Sequence, residues 1–292
     1  RAVEACGEKT LPAGVEIRDA SEVVEIADDP ATAFKMKKDS SLTVGLNLLK
    51  AGAGDAFVSA GSTGALLAGA TLLVKRIRGI RRAAMGPVIP TATGRAILCD
   101  CGANAECTAE YLLQFAYLGN YYAKRVLGIE SPRVGLLNIG AEEEKGDTLR
   151  HETYALLTQA SEAGRIRFIG NIEANDVMMG GADVVVADGF TGNLILKMYE
   201  GVAKVLMNSI KAAFMKNTLS KISYLGVKSG IDDMKKQFDY KEYGGAVVLG
   251  VKKPVIKAHG SADARTFKNA IKQAVWFLQT DLIDKIEKEL ND

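Results

Sequence analysis

Residues 184–193 read Val-Val-Val-Ala-Asp-Gly-Phe-Thr-Gly-Asn, an apolar run that passes through a glycine-containing turn into a helical pattern. The β-branched run is typical of a buried strand. Glycine in the turn lets the backbone approach a ligand, and the first N–H groups of a helix favour an oxyanion. Because a strand followed by a helix is the repeating unit of parallel sheets, this stretch predicts an α/β fold with a ligand site at strand ends.

Five further runs have the same strand-like character and alternate with helical patterns. Strands are expected at residues 56–59, 96–99, 134–137, 166–169 and 255–257, and helices at 42–50, 63–78, 108–125, 149–162, 192–214 and 263–290. In the last helix apolar residues recur at helical spacing from Phe267 to Leu290, with Ser261 as the expected N-cap. The alternation predicts a three-layer α/β/α fold with a mainly parallel sheet, in a single catalytic domain over residues 1–292.

Composition limits the function classes. The 292 residues are 48% hydrophobic and 25% charged, which is typical of a globular protein, and the net charge of +2 gives no reason to expect nucleic acid as a partner. No apolar run reaches the 18 or so residues that cross a bilayer. Four irregularly spaced cysteines (Cys6, Cys99, Cys101 and Cys107) predict neither a disulfide framework nor a metal site, and they favour a reducing cytoplasm. A nucleophilic cysteine stays open, although no partner base is identifiable.

Each predicted strand runs into a loop rich in Gly, Asn, Ser or Thr. These loops are residues 60–64, 100–104, 138–140, 170–173, 188–193 and 259–263. In a parallel sheet they leave on one edge, so they predict a crevice whose amides and helix N-termini hold a phosphate or another oxyanion. The motifs of P-loop kinases, dinucleotide-binding enzymes and serine hydrolases are absent from the sequence, which disfavours those classes.

Individual polar residues have a functional and a structural interpretation. His259 either donates to a carbonyl or phosphate oxygen, or moves a proton, or it only fixes a turn; His151 is expected at the surface. Lys145 either reaches the crevice or belongs to a solvated loop. Asp100 and Asp188 end apolar strands, so we expect loop N–H groups or a cation to hold them and expect them to orient loops.

Residues 192–242 differ from the rest of the chain. Their first part carries Val202, Leu206, Ile210 and Phe214 on one stripe, and residues 215–241 combine apolar side chains with lysines. Such stripes usually mean core packing or a dimer interface. We expect this helical segment to protrude, with dimer contact on its first helix and contact with a protein partner or an anionic membrane surface on the second part.

The loops, taken in order, resemble the bacterial phosphate acyltransferase (PlsX) family of phospholipid synthesis. The segments that carry the resemblance are Ser59–Ala65, Asp100–Asn104, Ser131–Asn138, Phe168–Glu173, Asp188–Asn193, Tyr243–Ala246 and Pro254–Ser261. Ser62 stands where the family usually has Asn, and Ala141 where it commonly has Thr. The family's opening strand and its Asp-Ala-Met-Gly-Gly-Asp loop have no counterpart, and the opening Arg-Ala-Val-Glu-Ala reads as the inside of a helix. We therefore expect an earlier segment, and with it one wall of the crevice, to be missing.

The resemblance implies a fold like that of isocitrate and isopropylmalate dehydrogenases and phosphotransacetylases. It implies a reaction in which acyl-[acyl carrier protein] and inorganic phosphate give acyl phosphate and free carrier protein, with no cofactor and no metal. It also implies a cytoplasmic homodimer that associates peripherally with the inner membrane face and supplies a membrane glycerol-3-phosphate acyltransferase.

The same resemblance, with the residue chemistry above, implies a set of site residues. The catalytic candidates are His259, Lys257 and Asn104. The candidates for phosphate or substrate binding are Gly61, Ser62, Thr63, Gly64, Asp100, Gly102, Asn138, Lys145, Asn171, Asp188, Thr191, Gly192, Asn193 and Ser261. We hypothesise that His259 or Lys257 polarises the thioester carbonyl, and that residues 61–64 and 191–193 cradle phosphate.

Two other functions stay open at this point. One is a short-chain phosphotransacylase of similar architecture that uses acyl-CoA. The other is a scaffold without catalytic activity that binds a carrier protein or the membrane through residues 215–241. The choice between acyl-carrier protein and acyl-CoA as donor distinguishes the first alternative from a phosphate acyltransferase. Phosphate-dependent release of the carrier thiol distinguishes an enzyme from the scaffold.

Overall fold

The computed structural model describes residues 10–237 and 243–289, which form an eight-stranded sheet with helices on both faces. The strands are β1 Phe57–Ser59, β2 Ala84–Thr91, β3 Gly94–Cys99, β4 Arg133–Leu137, β5 Arg167–Ile172, β6 Val184–Val186, β7 Gly245–Leu249 and β8 Val255–Ala258. All six expected strands are present, whereas β2 and β7 were not predicted. The expectations for Cys6, for a helical start of the chain and for Leu290 lie outside the described residues.

The helices are numbered in chain order. They are α1 Ala33–Met36, α2 Ser41–Ala51, α3 Thr63–Gly69, α4 Ala109–Arg125, α5 Thr148–Glu162, α6 Ala174–Met179, α7 Gly189–Met215, α8 Thr218–Gln237, α9 Ala264–Leu278 and α10 Leu282–Glu289, and a π-helical turn, Ala70–Val74, continues α3. The expected helix over 63–78 therefore ends earlier, at the residue before Lys75, whose φ is 75°.

The strand order is β1-β8-β7-β2-β3-β6-β4-β5. Four neighbouring pairs are parallel and three, all involving β2 or β7, are antiparallel, so the sheet is mixed and mostly parallel as expected. These pairings make β1, β2 and β8 run opposite to the other five strands. The expectation that all glycine loops leave on one edge is therefore wrong: the loops after β1 and β8 leave on one edge, and those after β3, β4, β5 and β6 on the other.

Strand β2 joins the two groups. Its first half, Ala84–Pro87, pairs with β7, and its second half, Val88–Thr91, pairs with β3. Each half of β2 is hydrogen-bonded to a neighbouring strand on one side only. Proline has no N–H to donate, so Pro87 and Pro90 are tolerated where one side of the strand is unpaired. The ends of β3 and β8 meet near the middle of β2. Cys99, the last residue of β3, lies across from Gly86 of β2. Lys257 of β8 pairs with Ala246 of β7, which in turn pairs with Pro87 of β2.

The core has two layers, one on each face of the sheet. On one face, α4, α5, α9 and α10 cover most of the strands in a single apolar cluster. On the other face the helices form two separate clusters: α1, α2 and α3 cover β2, β7 and β8, and α6 with the start of α7 covers β3, β4, β5 and β6. This arrangement confirms the α/β fold with helices on both sides, and it leaves a gap between the two clusters on the second face.

The C-terminal helix is interrupted, so the expected continuous helix over 263–290 is wrong. Asp263, not Ser261, is the N-cap of α9, because its carboxylate accepts from the Thr266 amide at 2.9 Å. The helix ends after Leu278, where the hydroxyl of Thr280 donates to the Phe277 carbonyl and competes with further helical bonding. The chain then starts α10 at Leu282.

The far end of α7 and all of α8 form a protruding hairpin, here called the arm (residues 202–237). At its turn Phe214 and Tyr224 meet edge to face, with ring centroids 5.4 Å apart. Apolar side chains remain exposed along both helices, among them Val202, Leu206 and Leu225. Only the first part of the expected segment 192–242 packs on the sheet, and residues 238–242 lie outside the described part. Across residues 10–237 and 243–289, no helix has both the length and the apolar character that crossing a bilayer requires.

Candidate active site

A cavity of about 230 Å³ occupies the gap between the two helical clusters. Its floor is the sheet face formed by Met85 and Pro87 of β2, Ala246 of β7 and Lys257 of β8. The start of α3 forms one wall and α7 the opposite one, and the loop after β8 lies at the end. A water molecule takes up about 30 Å³ of liquid, so the cavity has room for roughly seven or eight water-sized groups. That space fits a phosphate ion together with a reacting carbonyl.

Lysine side chains give the cavity its charge. Lys257 is buried, and its Nζ donates to the carbonyls of Ala258 at 2.5 Å and Ala60 at 3.4 Å. Among the described residues no carboxylate forms an ion pair with it, and burial together with the charge of Lys197 lowers the pKa of the Lys257 amino group. An anion in the cavity would relieve that unpaired charge. The floor is therefore suited to bind a phosphate.

His259 lies at the cavity end with a defined tautomer. Its Nδ1 accepts from the Ser261 amide at 3.2 Å and lies 2.7 Å from the Ser261 hydroxyl. A backbone N–H only donates, so Nδ1 carries the lone pair and the proton of the neutral ring sits on Nε2. Nε2–H is then a donor for a carbonyl or phosphate oxygen, which is one of the chemical tasks expected of this histidine.

Thr63, the first residue of α3, lines the cavity wall opposite α7. Ser62 caps this helix by accepting from the Ala65 amide at 3.4 Å, and Gly61 donates to the Ser59 hydroxyl at 3.1 Å. Gly64 lies close to Pro30, where an added Cβ would come within 2.8 Å of the ring. The loop over 60–64 therefore brings Thr63 to the cavity, while its other residues shape the turn.

Asp100 is the centre of the loop after β3. Its buried carboxylate accepts from the amides of Met85, Cys101 and Asn104 at 2.6–2.7 Å, and from the Asn104 side chain at 3.0 Å. Burial raises the pKa of this carboxyl, and the four N–H donors oppose that effect. The expectation that loop N–H groups hold Asp100 is confirmed. Asn104 is engaged in the same network, also donates to the Ala83 carbonyl at 2.9 Å, and does not line the cavity.

Asp188 caps α7 in the same manner. Its carboxylate accepts from the amide and hydroxyl of Thr191, both at 2.8 Å, and forms an ion pair with Arg150 of α5. Partial burial acts to raise the pKa of Asp188, but these hydrogen bonds and the guanidinium hold it below its usual range. Because Gly192 also donates to the Asp188 carbonyl, the amides of 191 and 192 are satisfied within the chain. Of the expected cradle over 191–193, the side chain that lines the cavity is that of Asn193.

Of four further candidate residues, three lie away from the cavity and one lies beside a residue that lines it. Asn138 donates to the Lys145 carbonyl at 2.9 Å, and Asn171 donates to the Glu142 carbonyl at 2.8 Å, so both brace the loop after β4. The structure does not bring Asn138, Lys145 or Asn171 to the cavity. Gly102 lies beside Asn193, close enough that an added Cβ would be 3.5 Å from its side-chain amide group.

Sequence reasoning missed two charged residues of the cavity, Lys197 and Glu200. They follow Asn193 by four and seven residues on α7, so all three lie on one helix face. That spacing, counted from the glycine loop over 188–193, was the signal that could have found them. Arg150 was also missed, and nothing short of the fold places it next to Asp188.

Cys101 lines the cavity, but it is a poor nucleophile. Burial, followed by the charge of Asp100, raises its thiol pKa to about 12. At neutral pH the group is therefore a thiol, and the thiolate is the reactive form. The arrangement is suited to hold an anion and polarise a carbonyl, with the nucleophile supplied by the bound anion.

A family model described as fatty acid synthesis protein matches residues 2–285 of the chain. A phosphate acyltransferase of Clostridium acetobutylicum is 47% identical over 278 residues, which is 95% of this chain and 83% of the relative. One from Thermoanaerobacterium thermosaccharolyticum is 45% identical over 277 residues, 95% of this chain and 82% of the relative. The chain belongs to the fatty acid synthesis protein family. The resemblance carried by its loops, and the acyltransferase class that went with it, are confirmed.

Solved structures support the fold. A phosphotransacetylase from Streptococcus pyogenes has a TM-score of 0.56 at 20% identity, covering 85% of this chain and 70% of the other. A branched-chain phosphotransacylase from Enterococcus faecalis has a TM-score of 0.51 at 15% identity, covering 86% and 81%. At such identities the likeness concerns the fold alone. It agrees with the fold class expected for this family member.

Proposed function

We propose that the chain transfers the acyl group of acyl-[acyl carrier protein] to inorganic phosphate, releasing acyl phosphate and the free carrier protein. The observation that carries this proposal is the cavity, which is lined by the buried Lys257, by His259 and by Thr63. Family membership with relatives named phosphate acyltransferase supports the reaction class. Phosphate is itself a competent nucleophile, so no serine or cysteine triad is needed.

In this mechanism the chain positions two reactants and stabilises charge. Lys257 attracts the phosphate dianion and holds it against the sheet face. Nε2–H of His259 donates to the thioester oxygen as it becomes an oxyanion, an interaction that strengthens in the transition state. Leu196 and Met85, which also line the cavity, limit the water that would compete as a nucleophile.

His259→Ala tests this assignment. Losing one oxyanion donor should lower kcat by about two to three orders of magnitude with little change in the KM for phosphate. His151→Ala is the matched control, because His151 is exposed and its Nε2 contacts only the Glu144 carbonyl among the bonds described for it. A kcat near that of the parent in His259→Ala removes this residue from the mechanism.

Donor choice separates the proposed reaction from its rival. With phosphate in excess, kcat/KM is measured for an acyl-carrier protein and for an acyl-CoA of the same chain length, and acyl phosphate is trapped with hydroxylamine. The proposal expects a clear preference for the carrier protein. A preference for acyl-CoA supports a phosphotransacylase that uses CoA esters, and no phosphate-dependent thiol release with either donor supports a scaffold.

The arm supports proposals about assembly and location. Val202 and Leu206 of α7 are 56% and 54% exposed, and Leu219 and Leu225 of α8 are 73% and 71% exposed. We place a second copy of the chain on the α7 stripe and an anionic membrane surface on α8, whose lysines flank its apolar side chains. The protein would thus be a cytoplasmic homodimer at the inner membrane face, able to pass acyl phosphate to a glycerol-3-phosphate acyltransferase there.

Two variants separate these contacts. Val202→Asp should shift the mass measured by light scattering from dimer to monomer, and Leu225→Asp should abolish flotation with vesicles of anionic lipid while leaving the dimer intact. An unchanged mass for the first variant refutes the dimer contact, and unchanged flotation of the second refutes the membrane contact.

A further inference from the structure

The reaction proposed above requires one proton to move. Near neutral pH the attacking phosphate dianion carries a proton, whereas the acyl phosphate dianion carries none and the carrier thiol leaves with one. A proton must therefore pass from the phosphate oxygen to the departing sulfur. A group that accepts it early and returns it late speeds both halves of the reaction.

Glu200 occupies a position suited to this transfer. It lies on the cavity-facing side of α7, one turn after Lys197, and its carboxylate pairs with the Lys197 amino group at 2.8 Å. The Glu200 side chain is 18% exposed, whereas that of Lys197 is 51% exposed. Among the described residues that line the cavity, Glu200 is the only carboxylate. A negative charge at a phosphate site opposes binding, so its presence there calls for a chemical reason.

The other titratable groups at the cavity are less suited to accept a proton. Lys257 donates to two backbone carbonyls, and Nδ1 of His259 already accepts from the Ser261 amide. Cys101 is a thiol at neutral pH. The oxygens of a carboxylate are acceptors, which is what a proton carrier at this place requires. The titratable groups that line the cavity with Glu200 are Lys197 on its own helix, Lys257 on β8, His259 in the following loop and Cys101 after β3.

We propose that Glu200 is the proton carrier of this reaction. As the phosphate oxygen forms its bond to the thioester carbon, its proton passes to the Glu200 carboxylate. The tetrahedral intermediate then collapses, the carbon–sulfur bond breaks with its electron pair on sulfur, and Glu200 returns the proton to that sulfur. The carboxylate is regenerated, and no oxidant, reductant or further reactant is consumed. The inference rests on the proposed function and extends it.

Glu200→Gln keeps the size of the side chain and removes its basicity. We expect kcat to fall by about two to three orders of magnitude. The KM for phosphate should stay the same or fall, because the substitution also removes a negative charge near the dianion. Glu200→Asp, which retains a carboxylate, should have a kcat at least tenfold higher than that of Glu200→Gln. Asp232→Asn is the matched control, since Asp232 forms the same type of pair, with Lys235, on the arm away from the cavity.

A change of leaving group distinguishes proton transfer from a structural effect. Two small thioesters with the same acyl chain are compared, one with an alkyl thiol such as pantetheine and one with an aryl thiol that leaves readily as a thiolate. The loss of kcat in Glu200→Gln should be at least tenfold smaller with the aryl thioester, because that leaving group needs no proton. An equal loss with both thioesters, or a rise in the KM for phosphate at unchanged kcat, overturns the inference.

Failure of the inference is distinguishable from failure of the proposed function. An active parent with an equally active Glu200→Gln variant overturns the inference alone. A parent that releases no acyl phosphate overturns the proposed function and the inference together.

Discussion

Lys257→Met tests whether the cavity binds phosphate. Methionine has a similar length and flexibility but carries no charge, so the substitution removes the buried cation with little change of volume. Lys257 has no carboxylate partner among the described residues, and its bonds are to the carbonyls of Ala258 and Ala60. Losing a buried cation without an ion-pair partner removes a desolvation cost, which offsets the loss of those two bonds. The melting temperature should therefore change little.

The effect on phosphate follows from Coulomb's law. A unit negative charge about 4 Å from the Lys257 amino group gains about 4 kcal/mol at an effective dielectric constant of ~20. The cavity opens to water and Lys197 remains, so we take half of this, about 2 kcal/mol. Since 1.4 kcal/mol corresponds to tenfold, the KM for phosphate should rise by about 30-fold. The KM for the acyl donor should stay within about threefold, because the proposed mechanism pairs its carbonyl with His259 rather than with Lys257.

The assay measures initial rates of thiol release over a wide range of phosphate concentrations at constant ionic strength. Lys268→Met is the matched control, because Lys268 is an exposed lysine of α9 that does not line the cavity. The reasoning is refuted if the KM for phosphate in Lys257→Met stays within twofold of the parent, or if Lys268→Met raises it equally.

Three further predictions test the loops and the chemistry. The pKa of the Asp188 carboxyl is lowered in the folded protein, so its stabilisation is complete above the unfolded-state pKa and is lost as the pH falls through the folded-state pKa. Asp188→Asn should therefore cost about 1–3 kcal/mol in urea unfolding at pH ~7, and clearly less at the lowest pH at which the parent protein stays folded. An equal cost at both pH values contradicts this linkage. Gly192→Ala should lower the free energy of unfolding by several kcal/mol, because the new Cβ would lie 2.0 Å from the Asp100 carbonyl oxygen. Gly201→Ala is the control on the same helix: its Cβ meets nothing within 4 Å, and the variant should gain about 0.5–1 kcal/mol. Similar melting temperatures for the two variants refute the packing argument. Cys101→Ser should keep kcat within about threefold, and a hundredfold loss would reinstate a cysteine nucleophile.

The sequence predicts the six strands with β-branched or aliphatic runs, because such runs form buried strands wherever they pair. Strand β2 is not predicted from the sequence, because Pro87 and Pro90 argue against a strand. Whether a strand tolerates these prolines depends on which of its sides is paired, and the sequence does not show that. The direction of each strand is not predicted either, since it is set by pairing between residues that are distant in the sequence. The single-edge expectation fails for that reason, although the loops after β1, β3, β6 and β8 all contribute a residue to the cavity or its surroundings.

The site is predicted in part for a similar reason. Lys257 and His259 follow an apolar run and so mark a strand end, and Thr63 and Asn193 sit where glycine loops open into helices. Asn138 and Asn171 occupy comparable places in the sequence, but their amides brace a neighbouring loop. Only long-range contacts distinguish an asparagine that faces a ligand from one that holds a loop, and a single sequence does not contain those contacts.

The central claim is that inorganic phosphate attacks an acyl thioester in this cavity. The most direct measurement is ³¹P NMR of the parent protein mixed with acyl-carrier protein and phosphate, with the free carrier thiol titrated in parallel. We predict an acyl phosphate resonance that grows by one equivalent for each thiol released, and that falls together with thiol release in Lys257→Met at low phosphate. Thiol release without acyl phosphate, or release that does not depend on phosphate, would contradict the account.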